Sequence, residues 1–88
     1  MVAVRMKDAR RALSRLEPES RALLDLSLRR GVDDQDIANV LRVDEDEVKR
    51  RRSAAMDRLV QELGLETQEE RDELFATLQD LPTEYFRV

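Results

Sequence analysis

The sequence predicts an all-α fold, and three observations carry that reading. Apolar residues recur at helical spacing in five separate stretches, most of them bounded by a capping residue or proline before and a glycine or proline after. Across 88 residues there are only two glycines and two prolines. Charged and hydrophobic residues each make up 41% of the chain, which suits a helical domain with a heavily charged surface. This length permits one modest core and not two.

Residues 4 to 16 place Val4, Ala9, Ala12, Leu13 and Leu16 at helical spacing among Arg5, Lys7, Arg10, Arg11 and Arg15. They predict a basic amphipathic first helix. Pro18 marks the start of a second helix, because its missing N–H costs nothing in a first turn. Ala22, Leu23, Leu26 and Leu28 continue that helix to Gly31, where it should stop. Asp33 then caps a short third helix, with Asp36 in a capping-box-like relation and Ile37, Ala38 and Leu41 on its buried side.

Asp44 and Glu47 repeat that arrangement ahead of a long fourth helix ending near Leu63 and Gly64. Val48, Ala55, Met56, Leu59 and Leu63 form its apolar stripe. Thr67 to Glu70 reads as a capping box for a fifth helix, whose apolar face is Leu74, Phe75, Leu78 and Leu81 before Pro82. Residues 83 to 88 read as a tail into which Tyr85 and Phe86 can fold back. The expected organisation is a domain over 1–64 and an acidic helix with tail over 65–88, packed on that domain or regulating it.

Composition removes several functions. The chain has no Cys and no His, which excludes disulfides, thiolate chemistry and the usual zinc ligand sets. Neither a catalytic centre nor a metal site nor a cofactor is expected, since only scattered carboxylates remain. No apolar run approaches a membrane span and no signal-peptide pattern opens the sequence, so a cytoplasmic setting and no membrane partner are expected.

The formal net charge is −4, but its distribution matters more than its sum. Residues 1 to 16 carry five cations against Asp8, and residues 48 to 58 carry five against Asp57. Residues 32 to 47 hold seven acids against Arg42, and residues 59 to 88 hold eight acids against two arginines. Phosphate binding responds to local cations, so an acidic chain with a basic helix face can still bind nucleic acid. Taking Val48 as inward directs Arg50, Ser53 and Asp57 outward, with Lys49 on one flank and Arg51 and Arg52 bordering the apolar stripe.

At this point a family resemblance emerges. Leu16-Glu-Pro-Glu-Ser-Arg21, the Leu-rich Leu23-Leu24-Asp-Leu26, Gly31, Asp36-Ile37-Ala38 and Val48-Lys49-Arg50-Arg51 follow one another without a gap. In that order they resemble region 4 of bacterial sigma-70-type transcription factors, especially the extracytoplasmic-function branch. The resemblance spans roughly residues 9 to 63. It implies a four-helix domain containing a helix-turn-helix, here followed by an additional C-terminal helix. It also implies binding of promoter duplex DNA through helix 44–63 and contact with the flap of the RNA polymerase β subunit.

Carried over by position, Glu47, Lys49, Arg50 and Arg51 occupy the places of the family's Thr, Lys, variable residue and Arg on the recognition helix. Arg21 occupies the place of a helix-2 Arg near the DNA backbone, and Ser53 joins the set as an outward neighbour. Several positions depart from the pattern. The family's turn Gly is Arg42, its Ser-x-Gly-Thr opening is Asp44-Glu-Asp-Glu47, an apolar position is Arg52, and a frequent Arg is Ala54.

Each feature also has a plainer reading. Negative charge at a helix N-terminus is favourable in itself, which accounts for the acids 44 to 47 without a partner. The cations 49 to 52 fit a solvated helix face, and Arg21 fits an ion pair with Glu17 or Asp25. The alternative function is a protein–protein interaction domain with a sigma-like fold that has lost DNA binding. Its partner would be polymerase, an anti-sigma protein or another part of the same chain. The acidic fifth helix suggests one such contact, in which it covers the basic face of helix 4.

Overall fold

The computed structural model of the chain describes residues 4–86, and every regular element within them is helical. Helix α1 covers Met6–Ser14, α2 Pro18–Leu24, α3 Asp34–Leu41, α4 Glu45–Leu63 and α5 Gln68–Asp80. A 3-10 turn, Thr83–Phe86, follows α5. None of the helices is long and apolar enough to cross a membrane.

The sequence signals for helix ends act as expected at most boundaries. Pro18 occupies the first turn of α2. Asp33 and Asp44 each accept a hydrogen bond from the backbone N–H three residues on, at 2.9 and 2.8 Å. Thr67 and Glu70 complete a reciprocal capping box, with Thr67 Oγ1 accepting from Glu70 N at 3.1 Å and Glu70 Oε1 accepting from Thr67 N at 2.9 Å.

Helix 2 departs from the simple expectation. After Leu24 it widens into one π-helical turn over Asp25–Arg29, with Arg30 N donating to Asp25 O at 3.0 Å. Ahead of that turn, Leu24 enters the main core fully buried, whereas Ala22, expected on the apolar face, is exposed. Gly31, at φ 65°, then breaks the helix.

Two apolar clusters hold these elements. The larger gathers Ala9, Ala12, Leu13 and Leu16 of the α1 region with Leu24, Ala55, Leu59, Leu74, Leu78, Leu81 and Phe86. Residues of the expected C-terminal segment thus share one core with α1 and α4. Phe75 is an exception on α5: Leu74, Leu78 and Leu81 take the inward line, and Phe75 points outward at 42% exposure. The smaller cluster sits where α2, α3 and α4 meet and consists of Leu23, Ile37, Ala38 and Val48, with Leu41 and Val43 packed against it.

Within the expected tail, Thr83–Phe86 folds back as the 3-10 turn. Phe86 is buried, Tyr85 packs against the main core, and Arg29 Nη1 donates to Thr83 Oγ1 at 2.7 Å. The Arg29 guanidinium also lies 5.4 Å from the centre of the Phe86 ring.

Candidate nucleic-acid interface

The α3–α4 pair is built around a tight turn at Arg42. Arg42 adopts φ 60°, ψ 44°, the left-handed region, and is the one non-glycine residue among those described with positive φ. Its N–H reaches Ala38 O, and Val43 N also donates to Ala38 O at 3.0 Å. A residue with a Cβ therefore holds this left-handed turn, at the cost of some backbone strain.

After that turn, Asp44 caps α4 and Val48 buries completely against Leu23, Ile37 and Ala38. With Val48 fixed inward, Lys49, Arg50, Arg51 and Ser53 are all exposed on α4. The side chain of Arg50 is 69% exposed and that of Arg51 is 41% exposed.

One carboxylate organises the cluster. Glu47 accepts from Arg50 Nε at 3.0 Å, and also from its Nη2, through Oε1. Through Oε2 it accepts from Arg51 Nε at 2.8 Å. The Arg51 and Arg50 hydrogen bonds hold the Glu47 carboxyl below the usual carboxylate range. Glu47 is thus turned toward the arginines, while Asp44 caps its backbone N–H.

Arg52 belongs to a different arrangement. Its guanidinium forks onto Asp34 of α3, with Nη2 to Oδ2 at 2.9 Å, and its Nη1 also reaches Ser27 Oγ at 3.0 Å. The hydrogen bond from Arg52 outweighs burial and lowers the Asp34 carboxyl from its ordinary value. Arg52 is therefore a staple joining α4, α3 and the π-helical turn, and is not displayed with its neighbours. The pair lies eighteen residues apart in sequence, so no local pattern announces it.

Arg21 stands apart from the α4 group. It is half-buried on α2, its Nε is buried without a hydrogen-bond partner, and among the described residues it forms no ion pair. The expected partner Asp25 is taken instead by Arg29 at 2.8 Å and Arg30 at 3.2 Å. Glu47, Lys49, Arg50, Arg51 and Ser53 thus share the N-terminal half of α4, while Arg21 lies on α2, which packs against α4.

The surroundings of this cluster are acidic. Asp33, Asp36, Asp44, Glu45 and Asp46 are all exposed at the N-termini of α3 and α4. Helix α5 does not provide the screening anticipated for it, since it packs against α1 and the π-helical turn. The ion-pair partners of Arg50, Arg51 and Arg52 are Glu47 and Asp34, and none comes from α5 among the described residues. Among the described residues, then, no ion pair ties α5 to the cations at the N-terminal half of α4.

Compared with models of known protein families, with curated proteins and with solved structures, the chain gives no match.

Proposed function

We propose that this domain binds duplex DNA as a helix-turn-helix module similar to sigma-70 region 4, with α4 as the helix that enters the major groove. The carrying observation is the exposed Lys49, Arg50 and Arg51 on α4, held outward by buried Val48 directly after a left-handed turn at Arg42. The pairs that Arg50 and Arg51 make with Glu47 are exposed and local, so phosphate oxygens can replace them. Lys49, Arg50 and Arg51 take backbone phosphates in this reading, and Ser53 approaches from the next turn. Glu47 accepts a hydrogen bond from a cytosine amino group if it meets a base edge. Arg21, half-buried on α2, contributes less.

The resemblance brings a protein partner as well, the flap of the RNA polymerase β subunit, and with it a cytoplasmic setting. A second reading is favoured by a specific observation. Asp44, Glu45 and Asp46 stand exposed at the end of α4 that would enter the groove, and they repel phosphate. In that reading the fold serves protein–protein contact, with polymerase or an anti-sigma protein, and DNA affinity has been lost.

Fluorescence anisotropy with a promoter-like duplex at low salt separates the two. The DNA reading expects salt-sensitive binding, and expects Arg50→Ala with Arg51→Ala to abolish it while leaving the thermal transition unchanged. If residual binding is measurable, its salt slope falls by about two. A wild-type protein with no affinity for any such duplex at low salt overturns it, and capture of a β-flap fragment then supports the interaction reading.

A further inference from the structure

An open groove of about 720 Å³ has none of the α4 cluster residues on its lining. It runs between α1 and the C-terminal turn. Lys7, Arg10 and Arg11 line it from α1, and Met6, Pro82 and Tyr85 supply an apolar floor. Arg10 rests 4.8 Å from the centre of the Tyr85 ring, which fixes that wall of the groove. Lys7 and Arg11 are exposed and make no ion pair among the described residues, and Asp80 is the carboxylate on the lining. Met6 is half exposed there.

Duplex DNA lying on α4 would not reach this groove easily. Helix α1 meets α4 near Glu62, to which Arg15 bonds at 3.0 Å. Glu62 is thirteen residues beyond Lys49, about 20 Å along the helix axis. An apolar floor is also a poor match for phosphates. It fits an acidic surface that carries an apolar side chain.

The same chain displays such a surface. Asp36 and Val40 share one face of α3 at four-residue spacing, with Asp33 exposed just before it, and Val40 is 72% exposed. The exposed acids Asp44, Glu45 and Asp46 follow just beyond the Arg42 turn. Within one molecule α3 packs on α4 and the π-helical turn, so its outward face is not available to its own α1 groove.

We infer that the α1 groove receives the acidic α3 face of a second copy of this chain, with Val40 over Met6, Pro82 and Tyr85 and Asp36 toward Lys7 and Arg11. A single such contact leaves one groove and one α3 face free at its ends, so association can extend beyond two copies as concentration rises. It is electrostatically assisted and weakens with salt, as the Debye length falls from about 30 Å at 0.01 M to about 8 Å at 0.15 M.

Sedimentation velocity without DNA tests this. The wild type should show a sedimentation coefficient that rises with concentration at low salt and returns to the monomer value at high salt. Lys7→Ala with Arg11→Ala should be monomeric alone, as should Asp36→Ala with Val40→Ser. Mixing the two variants should restore association that stops at a one-to-one dimer, because each supplies only one competent surface. Circular dichroism checks that both variants stay folded, and every replaced side chain is exposed. A wild type that is monomeric at all concentrations in low salt overturns the inference, as does either variant associating like the wild type. If the wild type is monomeric but the Lys7 and Arg11 variant loses duplex affinity, the groove serves phosphate and the inference fails. Both variants keep Arg50 and Arg51, so the duplex titration reports on the DNA reading separately.

Discussion

Glu47 divides its two carboxylate oxygens between Arg50 and Arg51, and the charge that α4 offers to an anion depends on that side chain. Replacing it by Gln keeps the shape and removes the competitor. Glu47→Gln should raise duplex affinity several-fold in the anisotropy titration; a fall would place Glu47 on a base edge instead. Mild acid should not mimic the substitution, because the carboxyl titrates below its ordinary range and stays ionised near neutral pH. At Arg42 the issue is backbone conformation. Its φ of 60° suits glycine better than any residue with a Cβ. Arg42→Gly should stabilise the fold by about 1 kcal/mol, raising the melting temperature by roughly 4–8 °C. An unchanged or lower transition in a thermal melt would show that Arg42 earns its place through contacts of its side chain.

Among the elements, the relation of α4 to α3 decides how firmly the exposed cations are presented. Val48 seals the smaller apolar cluster, and Arg52 bonds Asp34 and Ser27 beside it. Arg52→Ala should cost about 1.5–2 kcal/mol, the lower part of the range for charged hydrogen bonds, because both partners keep some solvent contact. Chemical denaturation reads the loss. The stability that Asp34 supplies has a defined pH window. Its folded-state carboxyl lies below the unfolded value, so the contribution is complete above the unfolded pKa and disappears as pH falls through the folded one. These elements also show what local sequence can and cannot reveal. Caps at Asp33, Asp44 and Thr67 were legible because each joins residues three apart. The Arg52–Asp34 staple and the π-helical turn were not, since one bridges distant positions and the other leaves no periodic trace. Arg50 and Ser53 were legible as outward for the same reason that Val48 was legible as inward, whereas Lys49 and Arg51, read as flanking positions, are exposed as well. Arg21 was not, because its burial depends on the neighbours that α2 acquires only in the fold.

For the whole molecule, the placement of α5 changes what its removal would do. Read from charge alone, residues 65–88 form an acidic cover whose deletion frees the basic helix and strengthens DNA binding. The packing argues otherwise. Leu74, Leu78, Leu81 and Phe86 are buried in the same cluster as Leu13, Leu24 and Leu59, and Val4 N donates to Glu73 Oε1 at 3.4 Å across that junction. Each buried leucine contributes roughly 1.5–3 kcal/mol on removal from water, so losing three of them and a phenylalanine approaches or exceeds the total stability expected of a small domain. A chain ending at Gly64 should therefore lose its cooperative thermal transition, and with it any duplex affinity. A truncated protein that melts cooperatively and binds DNA more tightly would mean that α1 to α4 fold alone, and that the long-range repulsion between the acidic segment and phosphate dominates. The expected result is the opposite, because core burial acts at contact whereas charges on α5 act on α4 only across solvent.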